Sequence, residues 1–261
     1  DVGFKMANPG LSLLVISGDG DALSIVGNHF IHTLRKNFNL NFLMFNNQIY
    51  SLTKGQYSPT SEKGIVTKTT PYGSLEEPFD PVSLALGAKA QFVARSIDSD
   101  PKHMRTVLER AYAFEGTSFV EIYQNCPIFN DGAFERFSDK VSKKDQTLQL
   151  EHGKPLLFGQ NNEKAIYLNG LSPEIANLGE LPDSDLWIHD ESDRIKASVL
   201  SCFSGMLQNG IPFPRPFGVI YAKARETYDH VILAQINEHQ KNHHIPSLDE
   251  ILSGNKTWEI Q

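Results

Sequence analysis

Gly18-Asp19-Gly20 and, after twenty-five intervening residues, Asn46-Asn47 each close an apolar, strand-like run, residues 11–17 and 40–45. An Asp carboxylate, an Asn side-chain oxygen and a nearby backbone carbonyl are hard oxygen donors. Magnesium takes such ligands in near-octahedral geometry, usually one or two from protein and the rest from phosphates and water. Glycines on either side of Asp19 let the backbone approach phosphate oxygens with no Cβ between, and a following helix start offers free N–H groups to an anion. The chemistry indicated is capture of a magnesium-bound diphosphate. Rival motifs fail on single residues. A dinucleotide fingerprint needs glycine where Leu23 stands, an EF-hand loop opened by Asp19 needs it where Ser24 stands, and no run ends in Gly-Lys-Ser/Thr. Gly-Asp-Gly alone would read as a turn; the spacing and the flanking runs carry the assignment.

A helix is predicted between the two runs, capped by Asp21 or Ser24. Leu23, Ile25, Val26, Phe30, Ile31 and Leu34 form its apolar face, and Arg35 and Lys36 favour its carboxyl end. The flanking runs read as buried parallel strands. A right-handed crossover brings their carboxyl ends to one sheet edge, where ligands bind in open α/β sheets, so Asp19 and Asn47 should meet. Residues 50–80, rich in Gly, Pro, Ser and Thr, are too long for a simple connection and predict a functional loop over the ligand. Helix 81–90, strand 91–95, helix 101–114 opened by Asp100 and strand 118–123 follow. The α/β alternation ends near Cys126, so a boundary near Asp131 divides domain 1–131 from an extension, 132–261. In the extension, strand pieces within 148–168, a strand at 186–189, a helix at 191–207, a strand at 218–221 and a helix at 228–240 are expected.

The chain has 261 residues, 40% hydrophobic and 21% charged, with a formal net charge of -7. That length supports a sizeable core. No apolar run approaches the roughly 18 residues that cross a bilayer, and the start lacks the pattern of a secretion signal. The acidic balance argues against nonspecific nucleic-acid binding, which needs clustered Lys and Arg. The two cysteines, Cys126 and Cys202, lie too far apart in sequence to suggest a disulfide scaffold, and a reducing cytoplasm is expected. Cys202 reads as a small core residue of a helix. His29 and His32 on the first helix, and His239, His243 and His244 in a polar tail, match no zinc pattern. Phe38, Phe42, Phe45 and Tyr50 read as core packing.

Three longer words narrow the assignment: Gly18-Asp-Gly-Asp-Ala-Leu-Ser-Ile25, Gly27-Asn-His-Phe-Ile-His32 and Asn46-Asn-Gln-Ile-Tyr-Ser-Leu-Thr-Lys-Gly-Gln-Tyr-Ser-Pro-Thr60. Together they resemble the beta subunit of 2-oxoacid:ferredoxin oxidoreductases, especially the 2-oxoglutarate type, from Asp1 to Asp131 and more weakly beyond. The resemblance implies an α/β thiamine diphosphate-binding fold, a largely parallel sheet flanked by helices, with a carboxyl-terminal α+β extension packing on the core or a partner subunit. It makes Asp19, Asn47 and the Ile49 carbonyl the Mg2+ ligands and places Gly18, Gly20, His29 and Asn46 around the cofactor. Leu52 and Lys54 come to the substrate end, where the ammonium is a point charge suited to a distal carboxylate. A solvated loop cation is an equal reading of Lys54.

By the same resemblance Cys126 is the fourth ligand of a [4Fe-4S] cluster. The other three ligands are expected in an upstream Cys-x-x-Cys segment, making this chain an amino-terminally shortened piece. The reaction implied converts a 2-oxoacid, coenzyme A and oxidised ferredoxin to acyl-CoA, CO2 and reduced ferredoxin. An alpha (or alpha-gamma fused) subunit is implied as partner, and the chain alone should be inactive. A nonoxidative 2-oxoacid decarboxylase and a noncatalytic diphosphate-binding module remain as alternatives, and the preferred 2-oxoacid stays open.

Overall fold

The computed structural model describes residues 2–180, 182–242, 246–254 and 258. Helix α1 (Val2–Ala7) leads into β1 (Leu14–Gly18), a π-helical turn (Asp21–Ile25), α2 (Gly27–Lys36) and β2 (Leu40–Asn46). After the long loop come α3 (Pro81–Gly87), β3 (Phe92–Ile97), α4 (Pro101–Ala113) and β4 (Thr117–Tyr123). Strands β1, β2, β4 and β3 pair in parallel in that order, so their carboxyl ends share one edge.

Three of these strands, β2, β3 and β4, are covered on both faces and are buried along almost their whole length. In β2, Phe42 and Met44 pack with Phe30 and Leu34 of α2, whereas Leu43 points to the other face, with Val107 and Ala111 of α4. The period of two along the strand divides one run between two cores. Phe30 meets Phe42 and Phe119 edge-on at 5.1 and 5.2 Å between ring centroids. Strand β1 departs from the expectation of a buried strand. It lies at the sheet margin, with a partner strand on one side only, and Leu14 and Ile16 are 53% and 66% exposed.

Neither Asp21 nor Ser24 caps α2. Both fall inside the π-helical turn, and α2 begins after Val26 with no side-chain cap bond. The capping expectation does hold for α4, where the Asp100 carboxylate accepts from the His103 amide at 3.1 Å.

The extension begins with two one-turn helices, α5 (Glu135–Ser138) and α6 (Lys143–Gln146), and β5 (Thr147–Gln149). Strands β6 (Leu157–Phe158), β7 (Lys164–Asn169) and β8 (Ser172–Asn177) form a separate antiparallel sheet. Then follow α7 (Arg194–Ser201), the hairpin β9 (Leu207–Gln208) and β10 (Ile211–Pro212), β11 (Arg215–Ala222), α8 (Tyr228–Asn242) and α9 (Leu248–Ser253). Strand β11 pairs antiparallel with β3 and parallel with β5, so the extension supplies two strands of the main sheet. The strand expected at 186–189 is instead two isolated bridges, Leu186 with Tyr167 and Ile188 with Pro155. The helix expected over 191–207 is shorter: Asp193 caps α7 and a 3-10 turn, Cys202–Gly205, ends it. Cys202 sits in that turn and is exposed, not a core residue.

A buried ion pair locks the sheet. The Arg95 Nε donates to Glu121 Oε2 at 2.6 Å, Nη1 donates to the Pro216 carbonyl at 3.3 Å, and Nη2 lies 3.6 Å from Asp80 Oδ2. Arg95 and Glu121 have essentially no exposure. Removing one partner of such a pair strands the other charge. Glu121→Ala is therefore expected to cost about 3–5 kcal/mol in urea denaturation; a loss near zero would mean that Arg95 finds another partner.

His189, 1% exposed, donates from Nε2 to the Val219 carbonyl of β11 at 2.8 Å, and among the described residues its Nδ1 has no hydrogen-bond partner. Burial holds its pKa below 6.5, against the pull of Glu191 and Asp190 and with the help of His152. The unfolded chain then binds a proton at a pH where the folded chain does not, so stability is full above about 6.5 and declines as pH falls toward the folded pKa. His189→Gln is expected to flatten that decline between pH 7.5 and 5 in denaturant titrations; an unchanged slope would assign it elsewhere.

Candidate active site

The ends of β1 and β2 place Asp19 and Asn47 on one open cleft of about 470 Å3, lined also by Gly18, Gly20, Ile49, Tyr50, Ser51 and Leu52. Asp19 is 1% exposed. Burial raises its pKa, and hydrogen bonds from Ser58 and Thr60 only partly offset this. Ser58 Oγ donates to Asp19 Oδ2 at 2.5 Å and Thr60 Oγ1 to the same oxygen at 2.6 Å. Oδ1 receives only a long contact, 3.4 Å, from the Asn47 amide. The carboxylate is thus clamped through one oxygen, leaving the other with lone pairs for a cation.

The turn after β2 brings the second set of oxygens. Gln48 sits in the left-handed region, φ 56°, between Asn47 and Ile49. Its amide donates to Asn46 Oδ1 at 3.1 Å, its side chain to the Thr60 carbonyl at 3.1 Å, and its carbonyl accepts from Ser61 Oγ at 2.5 Å and from Asn130 Nδ2 at 3.5 Å. The Asn47 carbonyl is taken by Asn130 Nδ2 at 2.9 Å. Among the described residues no hydrogen bond ends on the Ile49 carbonyl. One carboxylate, one amide oxygen and one spare carbonyl at a common cleft fit a hard cation such as Mg2+. Among the described residues no group of three or more His, Cys, Asp or Glu offers a rival metal site.

Asn46 is buried: its Nδ2 donates to Glu121 Oε1 at 2.8 Å, and its Oδ1 accepts from Thr60 at 3.0 Å. It anchors the loop to the ion pair and does not line the cleft. His29 is exposed on α2 and lines a neighbouring cleft beside β1, with Val15, Ile16 and Ser17. Leu52 is almost wholly exposed, and Lys54, also exposed, has a left-handed backbone, φ 68°. Leu52 borders the cleft at its rim, whereas Lys54 stands outside it.

Cys126, three residues past β4, is buried, and its Sγ lies 3.4 Å from Ser51 Oγ. Burial alone would raise the thiol pKa, but the Ser51 hydroxyl and the backbone amides of Phe129, Ile128 and Asn130 turn toward the sulfur and bring it below its usual value. Such donors favour a thiolate.

Reading the sequence missed Ser58, Thr60 and Ser61 as partners of the site; their hydroxyls in Ser58-Pro-Thr-Ser61 were the available signal. It also missed Tyr50, which is a wall of the cleft and donates to the Gly20 carbonyl at 3.1 Å.

Residues 2–122 match the family described as thiamine pyrophosphate enzyme, C-terminal TPP binding domain. The chain is 42% identical over 263 residues to the 2-oxoglutarate oxidoreductase subunit KorB of Mycobacterium tuberculosis, covering 99% of this chain and 69% of that protein. The chain belongs to the beta subunits of the 2-oxoacid:ferredoxin oxidoreductases. A second relative of this family, the 2-oxoglutarate synthase subunit KorB of Archaeoglobus fulgidus, is 44% identical over 48% of this chain and 47% of its own length. The solved 2-oxoglutarate:ferredoxin oxidoreductase from Magnetococcus marinus, with 2-oxoglutarate, coenzyme A and succinyl-CoA bound, superposes at TM-score 0.68 and 29% identity. That match covers 98% of this chain and 71% of the other. The expected α/β thiamine diphosphate-binding fold, with a mostly parallel sheet between helices, is present. No described helix is long and apolar enough to cross a membrane.

Within this beta subunit the two glycines of the motif differ. A Cβ on Gly18 would meet nothing within 4 Å, whereas one on Gly20 would lie 2.1 Å from the Tyr50 ring. Gly20 has ordinary helical backbone, φ -63°, so only the ring excludes a side chain. Gly20→Ala is expected to cost about 1–3 kcal/mol by overpacking, and Tyr50→Ala in the same chain should relieve most of it. Thermal unfolding of the single and double variants measures this; no relief would place the constraint elsewhere.

Proposed function

We propose that this chain holds thiamine diphosphate through Mg2+ on Asp19 Oδ1, Asn47 Oδ1 and the Ile49 carbonyl, with Gly18 and Gly20 beside the diphosphate. With an alpha subunit it converts 2-oxoglutarate, coenzyme A and oxidised ferredoxin to succinyl-CoA, CO2 and reduced ferredoxin. The observation that carries the reading is the one-sided clamp on Asp19 across the cleft from Asn47 and the spare Ile49 carbonyl. When bound, the thiazolium supplies the nucleophile for the keto carbon and the sink for the electrons released with CO2. The chain's own residues bind and orient. Ser58 and Thr60 fix the Asp19 carboxylate, the Gln48 turn presents Asn47 and Ile49, and Tyr50 closes one wall.

Cys126 is proposed as one ligand of a [4Fe-4S] cluster, since backbone amides and a hydroxyl around a buried sulfur suit a cluster thiolate. Two cysteines cannot supply four thiolates, and Cys202 is exposed on the turn after α7, so the remaining ligands come from outside these 261 residues. Lys54 and Leu52, open on the loop, are proposed to reach the substrate once the alpha subunit covers them. His29 is proposed to border the cofactor from the neighbouring cleft. Supporting the substrate are relatives named for 2-oxoglutarate and the 2-oxoglutarate and succinyl-CoA bound in the Magnetococcus enzyme.

The test is anaerobic purification of the complex containing this chain and coenzyme A-dependent viologen reduction with 2-oxoglutarate, pyruvate and branched-chain 2-oxoacids. Preference for 2-oxoglutarate is expected. Asp19→Ala should abolish Mg2+-dependent thiamine diphosphate binding in calorimetry, and Cys126→Ser should lose iron and acid-labile sulfide. Unchanged cofactor affinity would overturn the Mg2+ site, unchanged iron content the cluster ligand, and CO2 release without viologen reduction the oxidative reaction.

A further inference from the structure

Ser51 stands between the two proposed sites, and the bonds around it have a direction. The Asn47 amide is oriented by its own turn, because its Oδ1 accepts from the Ile49 amide at 3.2 Å, which leaves Nδ2 to donate to Ser51 Oγ at 3.5 Å. A hydroxyl has one proton. With its oxygen accepting from Asn47, Ser51 can direct that proton to Cys126 Sγ, 3.4 Å away. A second tie binds the same two segments: Cys126 forms an isolated bridge with Asn130, and Asn130 Nδ2 holds the Asn47 carbonyl at 2.9 Å. Residue 126 is thereby kept beside residue 51 although 75 positions separate them.

We propose that Ser51 is a positioning residue that couples the metal-diphosphate site to the cluster cysteine through the hydrogen-bond chain Asn47 Nδ2–H to Ser51 O–H to Cys126 Sγ. This rests on the reading of Asp19, Asn47 and Cys126 given above and adds a linkage between them. A cation on Asn47 Oδ1 withdraws electron density from the amide and makes Nδ2–H a stronger donor. The Ser51 hydroxyl is polarised in turn, as hydrogen bonds in a chain strengthen one another. A stronger O–H···S bond stabilises the more negative, reduced cluster and raises its reduction potential. Linkage makes the effect reciprocal, so the reduced protein binds Mg2+ and thiamine diphosphate more tightly than the oxidised protein.

The experiment is a redox titration of the intact anaerobic complex, followed by the electron paramagnetic resonance of the cluster, with and without Mg2+ and thiamine diphosphate. The wild-type midpoint is expected to rise when the cofactor is loaded. In Ser51→Ala, at unchanged iron content, it should lie lower and its response to loading should shrink; Ser51→Thr, which keeps the hydroxyl, should restore both. The exchangeable proton coupled to the cluster in wild type should be missing from Ser51→Ala in deuterium-exchange double resonance. A wild-type midpoint indifferent to cofactor, or a Ser51→Ala midpoint and response equal to wild type, would overturn the coupling. Each would leave the Mg2+ and cluster sites standing. Absence of iron from the wild-type complex would instead remove the cluster reading and this inference with it.

Discussion

A carboxylate with almost no contact with water must be held in place at the carboxyl end of β1, and much of the surrounding architecture answers that demand. Taking a charge out of water costs several kcal/mol even after relaxation. Asp19 meets that cost with two hydroxyls on one oxygen, both from a loop about forty residues away. Thr60 also bonds Asn46, Asn46 bonds Glu121, Glu121 pairs with Arg95, and Arg95 lies beside Asp80, which Ser204 of the extension contacts. One continuous polar chain therefore runs from the cleft across β2, β4 and β3 to the cap of α3. Because every link is buried or nearly so, the geometry of the carboxylate is tied to the register of the sheet.

The long loop gains its order from the same chain. It holds no regular element, and its backbone hydrogen bonds join loop residues to one another. Ser58, Thr60, Ser61 and Ser74 are buried hydroxyls, and each has a partner that anchors a different stretch: Asp19, Asn46, the Gln48 carbonyl and the Glu62 carbonyl. Hydroxyls suit this role because one group both donates and accepts within a small volume. Leu52 and Thr53 border the cleft and are exposed, and the Thr53 hydroxyl bonds only locally, to the Tyr50 carbonyl at 3.3 Å. Ile25, which is exposed, lines both this cleft and the neighbouring one, where the exposed Ile16 of β1 stands.

The extension contributes to the site at a distance. By inserting β11 beside β3 it covers the strand that carries Arg95, and the Pro216 carbonyl takes one arm of the guanidinium. The stacked Tyr123 and Phe134 rings, 4.1 Å apart, with Phe137 and Phe217, pack the junction just beyond the end of β4 from which Cys126 departs.

The order of strands and helices in the first half, the Asp100 cap and the meeting of Asp19 with Asn47 were legible in the chain. They rest on apolar periodicity and local turn chemistry, which act over a few residues. Tertiary structure decided which apolar runs are covered. Leu14 and Ile16 look like core in sequence and are bare, because burial depends on which neighbour the sheet places alongside. The strand at 218–221 was readable, but its place next to β3 was not, since pairing follows from topology and not from composition. Asn46 and Asn47 are chemically identical neighbours, and only the fold separates them: one side chain turns to Glu121 inside the sheet and the other to the cleft. The hydroxyl clamp on Asp19 and the Ser51–Cys126 contact join residues 39, 41 and 75 positions apart. Hydrogen bonds of that span leave no periodic trace in a sequence, because their partners are chosen by where the backbone has already been brought.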